Sequence, residues 1–539
     1  MESTAAANMS TAVTTPLPLL LPYNVTSPCT THWHANALYL LVLTLVVIPC
    51  ALLLLDAVFR KQSVASKACR LPPSPRGFPL VGNLHQLGRL PHRSLCALAA
   101  AHGPVMRLRL GTVPAVVVSS ACAAREVMQA QDHVFASRPS LAVPSRLLYG
   151  CTDIAFAPHG PYWRGARKMA VRHLLSPSRV RAYRAVREQE VGALLRRVEQ
   201  QCRGGHGVVH LSELLSDFAK DVAGRIVLGL RAAGDDGWRG KVDALLEETN
   251  VLLATFHAGD YIPCLSWVSA VDGTNAKVER AFQRIDRILE EIVDDAGRQM
   301  EAGQDVHDDD AAFVHVLLSL QKETAGSTTE WHLSRDNVKA LLEDLFGAGT
   351  EATIIVLEWA MAELLRDKGA MGKLQREVRR AAGGADNDNS LMITEQDLPA
   401  MEYLRAVIKE TMRLHTPGPL LLPRESMQDT RISQGGYDYD VPSGTMVIVN
   451  AWAIGRDPDT WEAPEEFRPE RFAGSAVDFR GQHFQLIPFG AGRRMCPGVN
   501  LSMSVVELAL ANLVGRFDWA LPEGEPELDM DEAPGCTSR

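Results

Sequence analysis

The chain contains 539 residues, of which 46% are hydrophobic and 22% charged, and its net charge is −9. This length and composition allow a large core and exclude a mostly disordered protein, a collagen-like repeat and a multi-span membrane protein. The mild negative charge predicts no nucleic-acid partner. The ten cysteines are too sparse for a disulfide scaffold, and no two of them form a Cys-x-x-Cys pair.

An uncharged apolar run at residues 37–55 is the first predicted element. Its 19 residues are long enough to span a bilayer as a helix. The first basic residue of the chain is Arg60, and more follow it, which places the following chain in the cytosol and residues 1–36 in the lumen. A buried helix of a soluble body fits this charge asymmetry poorly. A cleaved signal peptide also fits poorly, because no basic region precedes the run.

Residues 56–79 follow as a short basic tether that leads into a proline-rich stretch. Proline fixes φ and lacks an N–H donor, so the stretch containing prolines 72, 73, 75 and 79 predicts a stiff, extended hinge. Residues 80–539 show no repeat and no shift in composition. They are expected to form one catalytic domain.

The pattern of residues 80–539 predicts a mainly α-helical fold with small β-sheets. Short β-type runs occur at 105–110, 115–119 and 446–450, and long amphipathic helices are predicted at 183–202, 275–300, 335–366 and 402–415. The polar tracts 303–310 and 383–390 predict surface loops.

Cys496 carries the strongest chemical pattern in the chain. It lies between a glycine-rich loop and a helical pattern that begins near Val499. A thiolate at a helix N-terminus has a lowered pKa and is able to bind a metal, and the nearby glycines let a flat ligand approach the backbone. On spacing alone, a buried structural cysteine in a turn is the more common explanation.

The segment around Cys496 resembles the haem-binding motif FxxGxRxCxG of the cytochrome P450 family, and it matches every fixed position. These positions are Phe489, Gly492, Arg494, Cys496 and Gly498. Other segments resemble family motifs in the same order: 163–167 (WxxxR), 346–351 (the oxygen-activation helix), 410–413 (ExxR) and 467–472 (PERF). The chain is therefore similar to microsomal cytochromes P450 over about residues 37–539, and most similar to the plant multifunctional group at 357–364 and 423–425.

This resemblance implies a haem b cofactor whose iron takes an axial thiolate from Cys496. Three arginines are implied as ligands of the buried haem propionates, with the indole N–H of Trp163 assisting them. The residues assigned to the cofactor are Trp163, Arg167, Arg424, Phe489, Arg494, Cys496 and Gly498.

Glu410 and Arg413 are three residues apart and share one helical face. Alone they would be a surface pair worth under about 1 kcal/mol. The resemblance implies instead that they form a buried triad with Arg471, which locks the region around the haem loop. Loss of one partner from such a cluster leaves a buried charge uncompensated.

The longest predicted helix contains Gly347 and Gly349, which cost about 1 kcal/mol each against alanine in a helix interior. Their presence predicts a widened turn that lies against a cofactor. The spacing also matches a dinucleotide-binding fingerprint, but helix rather than strand precedes it, so that hypothesis is rejected. The residues predicted to carry the catalytic roles are Gly349, Glu351 and Thr353: Glu351 matches the acid of the family pattern, and Thr353 lies one residue past its usual threonine. The chain departs from the family pattern at Ala352, where a proton-delivering threonine is usual.

These observations predict a haem-thiolate monooxygenase that inserts one oxygen atom from O2 into a small, largely apolar substrate, such as a plant specialised metabolite. The resemblance implies an NADPH-dependent flavoprotein reductase as partner and a single-pass position in the endoplasmic reticulum membrane, in contact with lipid. Two alternatives stay open: an isomerase or dehydratase that needs neither O2 nor reductase, and a catalytically silent membrane-anchored binding protein. The predicted pocket segments are 145–156, 346–353, 416–422 and 534–536.

Overall fold

The computed structural model describes residues 70–539 except for 205–206, 231–239, 242, 244–245, 247–248, 250, 254, 304–310, 326–331, 384–391, 523, 525–527 and 534–539. All of these described residues belong to the second of two units into which the chain divides, Lys67–Arg539. The predicted lumenal segment, the anchor at 37–55 and the tether up to residue 69 lie outside them. In the described part of the chain, no helix combines the length and the apolar character needed to cross a bilayer.

The described domain is mainly α-helical, as expected. Its α-helices are α1 (Pro91–His102), α2 (Ala121–Arg125), α3 (Ala142–Leu147), α4 (Pro161–Met169), α5 (Pro177–Ala182), α6 (Arg184–Gly204), α7 (Leu211–Leu228), α8 (Ala258–Tyr261), α9 (Val268–Val271), α10 (Thr274–Glu301), α11 (Phe313–Ala325), α12 (Arg335–Arg366), α13 (Lys368–Ala381), α14 (Glu402–Leu414), α15 (Ala451–Ile454) and α16 (Val499–Arg516). The four long helices predicted from amphipathic patterns correspond to α6, α10, α12 and α14.

Two small sheets accompany the helices. The strands are β1 (Val105–Leu110), β2 (Val113–Val118), β3 (Arg424–Glu425), β4 (Thr430–Gln434), β5 (Tyr437–Val441) and β6 (Met446–Val449). The larger sheet has the order β1-β2-β6-β3, in which β2 and β6 are parallel and the other pairs antiparallel. The β4–β5 hairpin was not predicted, although its turn contains Gly435 and Gly436 with φ of +58° and +78°, a pair that favours tight hairpins.

The long helix α12 forms the centre of the domain and packs against α7, α14 and α16. It begins with a capping box, in which Ser334 accepts the backbone N–H of Asn337 and the Asn337 side chain accepts the N–H of Ser334. It ends before Asp367, whose carboxylate caps α13 through Gly369 and Ala370. These two caps explain why the helix has the bounds that the sequence pattern predicts.

The described part of the proline-rich hinge adopts neither helix nor strand from Arg70 to Gly77. Backbone hydrogen bonds fix it to the domain: the N–H of Arg107 in β1 donates to the oxygen of Pro73 at 2.8 Å, and that of Asp440 in β5 donates to Arg70 at 3.0 Å. The hinge therefore holds one defined path along the two sheets.

Candidate functional site

The cysteine loop is built around close backbone approaches. The backbone N–H of Cys496 donates to the oxygen of Phe489 at 2.9 Å. Gly492 has a φ of +68°, and a Cβ there would lie 1.8 Å from the oxygen of Met128, so only glycine fits. A Cβ at Gly498 would lie 3.8 Å from the Cys496 sulfur. The loop thus places the sulfur directly before α16 and leaves it accessible.

The charge state of Cys496 depends on opposing influences. The residue is exposed by accessible area, yet many protein atoms surround its sulfur, and this burial raises the pKa of the thiol. The backbone N–H of Gly498 and the guanidinium of Arg167 offset this only in part, the Asp344 carboxylate adds to it, and the pKa of the thiol stays above its usual value. The lowered pKa expected at a helix N-terminus is therefore not observed. The Gly498 N–H and Arg167 stabilise a thiolate, which is the form that binds a metal. A bound metal ion offsets the remaining free-energy cost of deprotonating the thiol, because a thiol that coordinates a metal ion loses its proton.

Four arginines form the basic part of the site: Arg138, Arg167, Arg424 and Arg494. Arg138 and Arg424 are buried, and Arg494 donates to the backbone oxygens of three residues at 2.5–3.1 Å. Burial, and then repulsion by the neighbouring guanidinium groups, lowers the pKa of Arg494 to about 9. Burial lowers the pKa of Arg424 to about 10. Arg138 was missed in the sequence, where no motif distinguishes it.

This arginine cluster fits a ligand with two carboxylates. In the described part of the chain, its side-chain hydrogen bonds go to neutral backbone oxygens rather than to carboxylates. Buried charges are normally paired, and the pKa of a buried arginine without a counter-charge falls, which favours its neutral form. The lowered pKa values of Arg424 and Arg494 follow this rule. Haem propionates would supply the missing negative charge, and guanidinium groups bind carboxylates well. The residues present therefore fit a haem, with the sulfur of Cys496 suited to the iron and the arginine cluster suited to the propionates.

Trp163 is placed near this cluster, but its N–H has a different partner from the expected one. The indole N–H donates to the backbone oxygen of Ile154 at 3.1 Å. Its ring instead supports Arg494, whose guanidinium carbon lies 4.0 Å from the ring centroid. Trp163 therefore stacks on an arginine of the cluster, and the expected indole donor to the cofactor is corrected because a backbone oxygen already accepts that N–H.

The centre of α12 presents an open surface. Ala348 and Gly349 are exposed, while Phe346 and Thr350 beside them are buried. A Cβ at Gly349 would meet no atom within 4 Å. Such an opening in the middle of a buried helix is where a flat ligand or a substrate has room to bind.

The predicted widened turn is not observed in the described helix, which is continuous over Arg335–Arg366. The hydroxyl of Thr353 donates to the oxygen of Gly349 at 2.8 Å, and that of Thr350 donates to Phe346 at 2.8 Å. Both hydroxyls thus bond back to carbonyl oxygens one turn earlier in the same helix, a common arrangement for threonine within a helix. Glu351 lies on the same stretch and is half-buried.

Glu410, Arg413 and Arg471 meet in the interior. Arg413 donates to both oxygens of Glu410 at 2.7 and 2.9 Å, and Arg471 donates to Glu410 at 2.8 Å. The side chains of Glu410 and Arg413 are 0% exposed, and that of Arg471 is 10% exposed. One carboxylate thus neutralises only one of two arginines.

The second positive charge of the triad is stabilised by backbone oxygens. Arg413 donates to the oxygens of Gly455 and Pro464 at 2.6 and 2.7 Å, and Arg471 donates to that of Glu462 at 2.9 Å. A Cβ at Gly455 would lie 2.4 Å from the oxygen of Arg413, so glycine is required for this approach. The triad therefore ties α14 to the loop 455–472.

Two carboxyl groups near the arginines were not predicted: that of Asp153, which is buried, and that of Asp344, which is half-buried. Burial and the neighbouring Asp344 carboxylate raise the pKa of Asp153 to about 7. Burial raises the pKa of Asp344 to about 6. One oxygen of Asp153 has no hydrogen-bond partner in the described part of the chain, which adds to the cost of its charged form.

Asp153→Asn is expected to stabilise the protein more at pH 8 than at pH 5. A carboxyl whose pKa is higher in the folded state than its unfolded value near 3.8 contributes stability at low pH that is lost as the pH rises to about 7. Asparagine cannot ionise, so the free energy of unfolding of the variant at pH 8 is expected to exceed that of the parent by about 2 kcal/mol. Denaturant unfolding at both pH values measures it, with exposed Asp429→Asn as control. Equal destabilisation at both pH values would contradict a raised pKa for Asp153.

Three of the predicted pocket segments lie in the described residues, whereas 534–536 lies outside them. The guanidinium of Arg138 donates to the oxygens of Ala155 and Leu422 at 2.8 and 2.7 Å, so segments 145–156 and 416–422 meet there. Asp344 accepts the N–H groups of Ile154 and Ala155 at 3.0 and 3.1 Å. These contacts attach segment 145–156 to α12, which carries segment 346–353.

Comparisons with known proteins agree with this geometry. A family model described as cytochrome P450 matches residues 72–538. The chain is 45% identical over 474 residues to cytochrome P450 71A4 of Solanum melongena, covering 87% of this chain and 90% of that protein. It is 45% identical to norfluorocurarine oxidase of a Strychnos species and 42% identical to (+)-menthofuran synthase of Mentha piperita, each covering 90% of this chain and 94% of the relative.

A solved structure supports the same relationship. A zebra fish cytochrome P450 structure with progesterone has a TM-score of 0.68 and 25% sequence identity, and the match covers 83% of this chain and 97% of the other. The similarity therefore extends over nearly the whole length of that protein.

Proposed function

The chain belongs to the cytochrome P450 family, a family of haem-thiolate monooxygenases, and on that premise we propose that it oxidises a small, largely apolar plant metabolite with electrons from an NADPH-dependent flavoprotein reductase. The observation that carries the proposal is the accessible Cys496 sulfur, which lies at the start of α16 beside a cluster of arginines whose hydrogen bonds go to backbone oxygens. The proposed reaction inserts one oxygen atom from O2 into the substrate.

We propose that Cys496 holds the haem iron and that Arg167, Arg424 and Arg494 hold the propionates, with Arg138 beside them. When bound, the haem supplies the O2-activating chemistry, which a thiolate ligand promotes. The chain's contribution is to favour the deprotonated sulfur through Gly498 and Arg167, against the burial that raises the pKa of the thiol, and to leave space above α12.

We assign the proton-handling role to Glu351, Thr353 and Gly349. Ala352 has no hydroxyl, and the hydroxyl of Thr353 donates to the oxygen of Gly349. Thr353 can therefore accept a further hydrogen bond but has no second proton to donate. The half-buried carboxyl of Glu351 is the acid nearest in sequence. A hydroxyl of the substrate or a water held at Gly349 would complete the set.

The proposed docking surface for the reductase is a basic cleft of about 440 Å³ on α4. Arg164, Lys168 and Arg172 are exposed along it. Arg167 also lines the cleft and donates to the backbone oxygen of Met495, next to Cys496, at 2.5 Å. An acidic protein surface would bind this cleft, and electrons would then enter close to the sulfur.

Charge reversal in the cleft is expected to raise the KM for the reductase about tenfold at low salt, because rim charges control encounter. The variant is Arg164→Glu with Lys168→Glu. The control is Arg376→Glu with Arg380→Glu, another exposed pair with the same spacing on α13. Haem content and turnover at saturating reductase should stay at the parent values. Equal effects of both pairs would place the docking surface elsewhere.

We propose that the domain lies on the cytosolic face of the endoplasmic reticulum membrane. The predicted anchor at 37–55 supports this, together with exposed apolar side chains around β1. The backbone N–H of Thr112 donates to Tyr261 at 2.8 Å, and Arg109 donates to Phe78 at 2.8 Å, so both apolar segments adjoin the same hairpin. The exposed apolar residues are Phe78, Val81, Phe256, Trp267 and Val271.

The substrate is proposed only as a class. The names of the relatives refer to norfluorocurarine oxidation and to menthofuran synthesis, which indicates small, mostly apolar plant metabolites. One other activity has a specific observation in its favour: Ala352 fits a haem-thiolate isomerase or dehydratase that needs no proton-delivering threonine. The catalytically silent binding protein has none, because the Cys496 loop retains every fixed motif position.

The test starts with a screen of indolic, terpenoid and phenylpropanoid compounds for a shift of the haem Soret band. Compounds that bind are then incubated with the protein, NADPH and a plant flavoprotein reductase. A monooxygenase consumes NADPH and O2 and forms an oxidised product. Product formed without NADPH and O2 would identify the isomerase or dehydratase, and binding without any product would identify the silent protein.

A further inference from the structure

The loop 153–157 connects the arginine cluster to the rest of the site through its backbone oxygens. The oxygen of Ile154 accepts from Arg494 at 3.1 Å, and the oxygen of Ala157 accepts from Arg494 at 2.5 Å. The oxygen of Ala155 accepts from Arg138 at 2.8 Å. The position of this short loop therefore determines where two of the four guanidinium groups lie.

Two N–H groups of the same loop are held by a single oxygen of α12. Ile154 and Ala155 both donate to Oδ2 of Asp344, at 3.0 and 3.1 Å. Each of these two residues thus donates to Asp344 with its N–H and accepts from an arginine with its oxygen. A hydrogen bond to a charged acceptor is among the stronger ones in proteins, so Asp344 is the main polar attachment of the loop to the long helix.

The chain before the loop does not hold it by its own conformational preference. Tyr149, Gly150 and Cys151 have φ of +51°, +76° and +56°, which is unfavourable for the tyrosine and the cysteine. Strained residues persist only where surrounding contacts determine them. The contacts of Asp344 are therefore among those that keep the loop in place, together with the hydrogen bond from Trp163 to Ile154.

We infer that Asp344 is a positioning residue for the cofactor: by fixing the loop 153–157 from α12, it orients Arg494 and Arg138 toward the haem propionates. This inference rests on the proposed haem site. Asp344 acts through the loop and the arginines and touches no reacting atom in this role. It explains why a carboxylate lies among buried arginines without pairing with any of them.

The test compares Asp344→Ala with Asp344→Asn. Alanine removes both hydrogen bonds, so haem transfer to an excess of apomyoglobin is expected to become about tenfold faster, equivalent to about 1.4 kcal/mol. The amide oxygen of asparagine still accepts both N–H groups, so Asp344→Asn should release haem at close to the parent rate. Hydrogen exchange of the peptide covering 153–157 should accelerate in the alanine variant alone.

Glu377→Ala is the matched control. Glu377 also accepts two consecutive backbone N–H groups, those of Tyr403 and Leu404 at 2.8 and 2.9 Å, but it lies on α13 outside the site. The Glu377→Ala variant should lower the stability of the fold without changing the rate of haem release. Haem release and amide exchange need no reductase or substrate, so they can fail independently of the proposed oxidation. Parent-like release by Asp344→Ala, or equal acceleration by Asp344→Asn, would overturn the inference.

Discussion

The Cys496→Ser variant is expected to lose the thiolate-type spectrum of its reduced carbon monoxide complex and all oxygenase turnover. A serine hydroxyl is a much weaker acid than a thiol and stays protonated, so it cannot replace the thiolate that binds the metal. The arginine cluster is unchanged, and part of the haem should therefore remain bound. Absorbance of the reduced carbon monoxide complex measures the change.

The control for this prediction is Cys122→Ser. Cys122 is exposed on α2 and has a free thiol, so its replacement tests for a general effect of losing a cysteine. It should leave both the spectrum and the turnover at the parent level. A thiolate-type spectrum that survives Cys496→Ser would mean that another residue holds the iron.

Glu410→Gln is expected to lower the free energy of unfolding by about 3–5 kcal/mol, because it leaves Arg413 and Arg471 buried without a counter-charge. The change keeps the shape of the side chain, removes the negative charge and replaces one acceptor oxygen by an NH2 donor that faces an arginine. Denaturant unfolding measures the loss. Glu402→Gln, an exposed site on the same helix, should change stability by less than about 0.5 kcal/mol. Similar losses from both variants would contradict a buried triad.

The elements that the sequence predicts well are those with strong local patterns. The helix α12 has a capping serine at its start and Asp367 after its end, and its predicted bounds agree with the structure. The strand β1 alternates apolar and basic residues and also agrees. The hairpin β4–β5 was missed because its strands are polar and mostly half-exposed or exposed, which weakens the period-two pattern.

The residues of the candidate site also fall into a group that the sequence predicts and a group that it misses. Cys496 and the segments around the arginines are visible as motifs because their fixed residues are close in sequence. Asp344 and Arg138 are not, because their roles come from contacts across long sequence separations, such as the one from Asp344 to Ile154. The partner of the Trp163 indole N–H is a backbone oxygen, and backbone acceptors leave no trace in side-chain patterns.

The central claim is that this chain transfers an oxygen atom from O2 to a small organic substrate. The most direct measurement is mass spectrometry of the product formed under ¹⁸O2 by the anchored protein, NADPH and reductase, with a compound that shifts the Soret band. A monooxygenase is expected to place one ¹⁸O atom in each product molecule and to form no unlabelled product from water. A product without the label, or the same yield when O2 and NADPH are left out, would contradict it.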